Sequence, residues 1–410
     1  MEAVCSQGFI YLNLICDSTI ISYTVRIPSL LALEVIHQIR YRMPTKNNND
    51  FIWLSSIKGL IQMKSVLIGI SGGIDSAVAA AILKERGFHV EGLYIQNGFP
   101  GGNEAGAVAV ADRLCFPLHT LDISSSFREQ VVEYFVRDYL AGRTPNPCIV
   151  CNKKIKFKYL LEEAHKRGFD FIATGHYARV EDTEGKDGFR LLKGIDKGKD
   201  QSYFLFQLGQ DELRQILFPN GDRTKKEIQE MAPGFGLVSG RESQEICFIP
   251  DDNYKAFLEQ YPITLPRPGN IVDENGTIVG RHRGIHSVTV GQRKGLNIAS
   301  ERPYYVLRID SKKNEVIVGR DEDQLSWGLT ATDCSWISLD PSRQESLHVK
   351  THIRYRHRGV DSEITFLTDN RVHVRFNTPQ KAVAPGQAAV FYEGQYLIGG
   401  GWIERGLRDA

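Results

Sequence analysis

A short apolar run, Val66 to Ile70, leads straight into Ser71-Gly72-Gly73-Ile74-Asp75-Ser76 and then into Val78, Ala81 and Ile82 at helical spacing, with Gly87 as a stop. A strand apolar on both faces needs cover on both sides, and a parallel sheet flanked by helices supplies it. The pattern repeats: Val90 to Ile95 reads as strand, Glu104 to Leu114 as an Ala-rich helix, and Leu118 to Ile123 as strand. Phe127 to Leu140 and Lys153 to Arg167 read as helices, and Phe171 to Ala173 as a fourth strand. Strands alternating with helices of this length predict an α/β domain with a doubly wound parallel sheet.

Past residue 262 the texture changes. Pro262-Ile263-Thr264-Leu265-Pro266-Arg267-Pro268-Gly269 breaks the chain. Short β-type runs follow at Ile285 to Val290, Tyr304 to Ile309, Glu315 to Val318, Val349 to Tyr355, Ser362 to Leu367, Val372 to Phe376 and Ala388 to Tyr392. These predict a small β-rich central domain over 262–325 and a C-terminal β-barrel over 326–410. A length of 410 residues fits two or three domains.

Residues 1–62 stand apart as an N-terminal extension, leaving 63–261 for the α/β domain. The uncharged run Ala3 to Cys16 is too short for a bilayer, which takes about 18 to 20 apolar residues. No Lys or Arg precedes Arg26, unlike a signal peptide. The expectation is a cytoplasmic protein without a membrane span. Met63-Lys64-Ser65 opens directly into the first strand, so Met63 is an equally good start, and no function is assigned to 1–62. With 42% hydrophobic and 24% charged residues, disordered and fibrous classes are excluded. A net charge of +1 means that any polyanion must be held by local patches.

Glycines at a strand-to-helix turn let backbone N–H groups face an anion, Ser71 and Ser76 add hydroxyls, and the helix N-terminus adds its dipole. The loop lacks the Lys of a Walker loop and the spacing of a dinucleotide fingerprint. On these residues alone it is a phosphate site or a plain capped turn.

Seven cysteines, an odd number, read as thiols in a reducing compartment. Cys5 and Cys16 lie in the extension, and Cys115 and Cys334 sit in less polar stretches and read as core thiols. Cys148 and Cys151 form a Cys-x-x-Cys on a proline-rich loop before the basic run Lys153-Lys154-Ile155-Lys156-Phe157-Lys158. Lysines and a helix N-terminus both favour thiolate there. A zinc half-site is the other reading, but no second Cys-x-x-Cys or paired His follows at finger spacing, so no metal ligand is assigned. Cys247 lies where a polar stretch enters an apolar one. Three basic clusters could track phosphates: Lys153 to Lys158; Arg281-His282-Arg283 with Arg293-Lys294; and Arg354-Tyr355-Arg356-His357-Arg358.

The glycine loop resembles the pyrophosphate (PP) loop of the N-type ATP pyrophosphatases, which cleave ATP to AMP and pyrophosphate while activating a carbonyl oxygen. Within them the chain resembles the tRNA-specific 2-thiouridylase family. The likeness runs through Gly142-Arg143-Thr144-Pro145-Asn146-Pro147-Cys148-Ile149-Val150-Cys151-Asn152, Ala173-Thr174-Gly175-His176-Tyr177-Ala178-Arg179, Lys199-Asp200-Gln201-Ser202-Tyr203-Phe204-Leu205, Glu245-Ile246-Cys247-Phe248-Ile249 and Thr289-Val290-Gly291-Gln292-Arg293-Lys294-Gly295-Leu296. Five motifs in order are far more specific than one loop.

The resemblance implies ATP-dependent 2-thiolation of the wobble uridine of tRNA, with ATP and Mg²⁺ as cofactors. Gly69, Ile70, Ser71, Gly72, Gly73, Ile74, Asp75, Ser76, Ile95 and Gly175 would bind ATP. Cys247 would carry a persulfide and Cys151 would be its partner thiol. Asn146, Pro147 and Cys148 would meet the target base, and Lys199, Asp200, Gln201, Arg354, Tyr355 and Gln387 the tRNA. The implied partners are tRNA and a sulfur donor protein, a cysteine desulfurase or sulfur relay, with the chain a monomer.

Two departures stand out. Some members have an aspartate, proposed for acid-base work, where this chain has Cys148, and the loop Gln96 to Gly102 lacks the acidic insertion many members carry. Cys148, Cys151 and Cys247 make a three-thiol set able to hold an iron–sulfur cluster, as related thiolation enzymes do, which leaves a cluster route beside the persulfide route. A PP-loop synthetase acting on a small metabolite and a non-catalytic tRNA-binding module are the competing classes.

Overall fold

The structure, a computed structural model, describes residues 2–6, 9–13, 24–28, 63–185, 188–237 and 246–409, the first three segments as backbone only. The chain divides into two compact units, Met1–Lys64 and Ser65–Ala410. In the first, β1 (Glu2–Ser6), β2 (Phe9–Asn13) and β3 (Thr24–Pro28) pair antiparallel in that order. Cys16 and the remainder of the extension before Met63 lie outside the described residues.

The second unit opens with the expected sheet. β4 (Ser65–Gly69), β5 (His89–Gln96), β6 (Leu118–Asp122) and β7 (Phe171–Ala173) are joined, after a hairpin of β8 (Ala178–Asp182) and β9 (Phe189–Lys193), by the short β10 (Ile216–Leu217). The parallel order is β10-β7-β4-β5-β6. Alternation along β4 assigns the faces. Val66 and Ile68 pack with α1 (Ile74–Glu85) and α2 (Glu104–Leu114), while Leu67 packs with Phe157, Leu160 and Ala164 beneath. Both faces are covered, which is the doubly wound arrangement. The chain leaves β4 toward β5 and returns to β7 on its other side, so the strand order reverses between β4 and β7. Crevices at the carboxyl end of such a reversal are where α/β sheets bind ligands.

Two further helices are continuous through π-helical turns: α3 spans 124–140 with its π-turn at Arg128–Val132, and α4 spans 147–167 with its π-turn at Asn152–Phe157. Cys148 and Cys151 therefore sit in the first turns of a helix rather than on the loop before it. Pro147 at the first helical position supplies a fixed φ and needs no N–H partner. α5 (Lys225–Met231) starts with a reciprocal cap between Thr224 and Glu227, and α6 (Tyr254–Gln260) is capped by Asn253.

The central sheet orders β11 (Gly269–Val272), β12 (Ile278–His282), β13 (Tyr305–Asp310) and β14 (Glu315–Gly319) as β12-β11-β14-β13. The strand expected over Ile285 to Val290 is instead a 3₁₀ turn, Ile285–Ser287. Ile285 and the residue that ends the turn, Val288, are buried apolar side chains three apart, and Ser287 donates backbone and hydroxyl hydrogen bonds to Gly284 O. A three-residue period mimics a short apolar run but cannot alternate as a strand does.

The C-terminal strands β15 (Leu325–Trp336), β16 (Ser346–His352), β17 (Val360–Phe366), β18 (Val372–Lys381), β19 (Ala388–Glu393) and β20 (Tyr396–Leu407) form a barrel. Pairing of β15 with β20 closes it. The β8–β9 hairpin, which sequence reasoning missed, adds to β20 through Leu191↔Leu397 and Leu192↔Tyr396. β20 was also illegible because Gly399-Gly400-Gly401 hides its apolar pattern. A Cβ on Gly400 would stand 2.7 Å from the Phe206 ring, and one on Gly401 2.6 Å from Cys334 Sγ.

Cys334 is buried, as its sequence context indicates, but Cys115 is exposed. It ends α2 in the left-handed region at φ 53°, which turns the residue out of the core.

A ring cluster fixes the segment after Cys247. Phe248 is 2% exposed, with ring centroids 5.4 to 5.9 Å from those of Phe99, Phe127, Phe135 and Phe257. Phe248→Ala should cost about 3–5 kcal/mol by leaving a cavity among rings. A urea denaturation midpoint equal to that of the wild type would contradict this packing account.

Candidate functional site

The loop after β4 is shaped by glycine and held by two polar side chains. Gly72 has φ +77°, and a Cβ there would stand 2.4 Å from Asn103 O. Asn103 caps α2 through Gly106 N–H (3.0 Å) and donates its amide to Gly72 O (3.0 Å). Ser76 Oγ donates to Gly73 O (3.0 Å) and accepts from Ser71 N–H (3.2 Å). Gly73, the N-cap of α1, has no side-chain cap, so the first turn of α1 keeps N–H groups available to an anion. Ile70 and Ile74 are buried beneath the turn.

Asp75 does not face this turn unaccompanied. Its Oδ1 accepts from Tyr177 OH (2.7 Å) and from the buried Lys225 Nζ (2.8 Å). Asn220, fully buried, donates its amide to Asp75 O (2.9 Å) and Gly175 O (3.0 Å), pinning the turn after β7 to the first turn of α1. A Cβ on Gly175 would lie 2.8 Å from Asp75 C and Ser76 N, so only glycine permits this approach. A Cβ on Gly69 would stand 3.2 Å from Leu160 Cδ1, and Ile95 is half-buried.

Cys148 is partly exposed, Cys151 buried and Cys247 exposed. Asn97 donates its amide to Cys247 Sγ (3.9 Å), and Gly101, at φ +124°, comes so close to Cys247 O that a Cβ would stand 2.8 Å away. The short loop after β5 thus cradles Cys247. Burial pushes the Cys151 thiol up to about 12, against the lowering influence of Lys156. Cys148 and Cys247 are also raised, first by the protein packed around them, with Lys156 again opposing. The expectation that lysines and the helix N-terminus make these thiols anionic is therefore corrected: in the free protein desolvation outweighs the cation.

The basic run is divided rather than a single stripe. Lys153 pairs with Glu212 and Lys158 with Glu162, while Lys154 and Lys156 are exposed. Arg281, Arg283, Arg293 and Lys294 are exposed, as are Arg354, Arg356 and Arg358. Among the described residues no group of three or more His, Cys, Asp or Glu side chains could hold a metal ion.

The residues expected to meet tRNA divide into two kinds. Asn146 is the N-cap of α4 and Pro147 its first residue, and the side chains of Asn146 and Arg354 approach the Tyr203 hydroxyl. Tyr355 packs on Phe204, centroids 4.5 Å apart. Asp200, Gln201 and Gln387 are engaged in holding loops. Asp200 accepts from Gly194 N–H (3.0 Å) and Ser202 N–H (3.1 Å), and its carboxyl is raised chiefly by burial. Gln201 Oε1 accepts from Tyr177 N–H (3.0 Å). Gln387 donates to Thr144 O (3.0 Å), tying the barrel to the turn before Cys148. Lys199 lies in the turn after Asp196.

Known proteins match along the whole second unit. Residues 64–251 match the tRNA methyl transferase HUP domain, 255–320 the tRNA methyl transferase PRC-barrel domain and 326–403 the aminomethyltransferase beta-barrel domain. The tRNA-specific 2-thiouridylase MnmA 2 of Syntrophus aciditrophicus is 50% identical over 339 residues, covering 78% of this chain and 99% of that protein. The tRNA-specific 2-thiouridylase MnmA of Geobacter metallireducens is 44% identical over 365 residues, covering 84% and 98%. That of Geotalea uraniireducens is 45% identical over 365 residues, covering 84% and 96%. The chain belongs to the tRNA-specific 2-thiouridylase family.

Sequence reasoning about this family member missed Asn97, Asn103, Asn220 and Lys225 as parts of the site. Asn103 carried a signal, as a capping residue directly before the Ala-rich helix. The others make contacts 145 to 150 residues away in sequence, which no local pattern encodes.

Gly72→Ala tests the loop. The left-handed φ and the clash with Asn103 together should lower affinity for ATP by roughly tenfold or more, at about 1–3 kcal/mol of backbone strain. Equilibrium dialysis with labelled ATP, on protein whose circular dichroism matches the wild type, would show unchanged binding if the turn is not the nucleotide site.

Proposed function

We propose that the protein thiolates the 2-position of a tRNA uridine, the wobble uridine of the anticodon, using ATP to activate the 2-oxygen and a Cys247 persulfide to deliver sulfur. The observation that carries this reading is the pairing, in one compact unit, of an anion-ready glycine turn at the strand reversal with thiols on α4 and at Cys247. Mg²⁺ would enter with its substrate as MgATP and neutralise the triphosphate.

The uridine 2-oxygen attacks the α-phosphorus, pyrophosphate leaves and N3 gives up its proton. N–H groups of the Ser71 to Ser76 turn would hold the departing phosphates, with Lys225 keeping Asp75 neutralised beside them. The terminal sulfur of the Cys247 persulfide attacks C2, and AMP departs with the former 2-oxygen. Cys151 then attacks Cys247 Sγ, the sulfur on C2 leaves with the electron pair of the S–S bond, and the thiol proton of Cys151 passes to the thiouridine. A Cys151–Cys247 disulfide remains, and a two-electron thiol reductant reopens it. A Cys151 thiol raised to about 12 stays protonated at neutral pH, which guards the persulfide from early attack. The sulfur reaches Cys247, the exposed thiol of the pair, from a donor protein.

Cys247→Ser should abolish thiouridine formation yet release pyrophosphate for about one turnover when ATP, Mg²⁺ and tRNA are present, since adenylation precedes sulfur attack. Pyrophosphate released without tRNA, once a metabolite is supplied, would favour a small-molecule synthetase. Thiouridine formed by Cys247→Ser would overturn the persulfide assignment.

A further inference from the structure

Lys193, the last residue of β9, brings a cation into the seam between the β8–β9 hairpin and the barrel. Its backbone is fixed on both sides, with N–H donating to Gln395 O (3.0 Å) and O accepting from Arg179 Nε (2.9 Å). The side chain crosses to the barrel, where Nζ lies 3.4 Å from His352 Nε2 of β16 and 4.0 Å from the centroid of the Tyr392 ring of β19. Tyr392 is a fixed platform, since it is buried and its OH meets Ser202 Oγ at 3.0 Å. His352 packs on the same ring, centroids 4.8 Å apart, and burial, then Lys193, holds it down to about 3, so its neutral Nε2 accepts from the ammonium. Gly359, at φ +79°, keeps room beside that nitrogen, for a Cβ there would stand 2.7 Å from His352 Nε2.

An ammonium has three donors. One meets His352, a second faces the ring, and among the described residues Lys193 forms no ion pair. Asp200 acts on it through space, but its oxygens already accept from Gly194 N–H (3.0 Å), Ser202 N–H (3.1 Å) and Ser202 Oγ (3.0 Å), while Asp361 pairs with Lys350 (2.8 Å). Burial pulls the Lys193 ammonium down, with Asp200 opposing and Lys350 adding to the effect. A half-buried cation without an anion carries a desolvation cost that an incoming anion offsets. From His352 the chain runs directly into Arg354, Arg356 and Arg358, which are exposed, and among the described residues none of the three forms an ion pair. Negative charge repeated along an extended ligand suits such a surface.

We propose that Lys193, seated on Tyr392 and His352, binds a backbone phosphate of the RNA substrate and carries the basic surface of 354–358 across the seam onto the hairpin. This rests on the tRNA reading for its ligand. Lys193→Met keeps an aliphatic stem on the ring and removes the charge. In filter binding of unmodified tRNA without ATP, the slope of log affinity against log salt should fall in magnitude by about 0.7 to 0.9, and affinity at ~0.1 M salt roughly tenfold. A merely structural loss would weaken binding at every salt concentration and leave the slope alone. Lys193→Arg should keep the wild-type slope, as should Lys166→Met, which removes a lysine paired with Glu163 in the last turn of α4. Should Lys193→Met not fold, the wild-type protein answers: acetylation of Lys193 by an N-hydroxysuccinimide ester, read by peptide mass spectrometry, should slow when tRNA is bound. An unaltered slope in folded Lys193→Met, an equal loss of slope in Lys166→Met, or acetylation of Lys193 indifferent to tRNA would overturn the inference. If the wild-type protein binds no tRNA, the substrate reading fails and takes this inference with it. If tRNA binds and the slope falls as expected but no thiouridine is made, the sulfur chemistry fails and the phosphate contact stands.

Discussion

Helix α4 joins the two halves of the chemistry to the fold, and its packing is the constraint on which the site depends. Its far portion must lie under the parallel sheet, where Phe157, Leu160 and Ala164 meet Leu67 of β4 and Ile172 of β7. Its first turns must present Cys148 and Cys151 beside Cys247, against the ring cluster that includes Phe127 and Phe248. One regular α-helix has a single phase relation between its ends. The π-turn between them changes that relation, so the buried face can suit the sheet while the first turns keep Cys151 against the ring cluster. The N-terminal end is fixed from outside the domain, since Gln387 and Pro385 of the barrel hold the backbone of Thr144.

Electrostatics at the sulfurs is a contest between burial and one ammonium. Burial leads for all three thiols, and for Cys151 it leads by most. A resting enzyme with protonated thiols is protected from oxidation and from premature disulfide formation, because thiolate is the reactive form. The loop side shows the opposite arrangement. Asp75 is matched by Lys225 and Tyr177, so its negative charge does not stand uncompensated beside a phosphate site.

Much of this was legible in residue order. The apolar run of Val66 to Ile70 and the helical spacing after Ser76 gave the strand, turn and helix, because a parallel sheet buried on both faces needs strands of that kind. The motif around Cys148 and Cys151 pointed to thiol chemistry because spacing on one helix start is local. What stayed hidden was long-range. The β8–β9 hairpin is half-polar and pairs with a strand about 200 residues on, β20 has glycines where its pattern should be, and Asn220 and Lys225 look like ordinary polar residues until the fold sets them against Asp75. The charge state of the thiols was misjudged for the same reason, since a sequence shows nearby lysines but not the desolvation that outweighs them.

The hairpin carries a consequence for how the unit behaves. β8 begins immediately after Tyr177, which bonds Asp75, and its partner β9 pairs with β20 in the barrel sheet. Gly194, just past β9, is held by Asp200, and Gln201 returns to the backbone of Tyr177. Nucleotide loop, hairpin and barrel are thus linked by short covalent segments and buried hydrogen bonds rather than by a flexible tether. Displacement of the barrel would be felt at Tyr177 through the hairpin and at Thr144 through Gln387, two routes that meet respectively the phosphate side and the sulfur side of the site. Movement of the barrel against the sheet would therefore have to break part-buried hydrogen bonds on both sides of the site, which makes such movement costly.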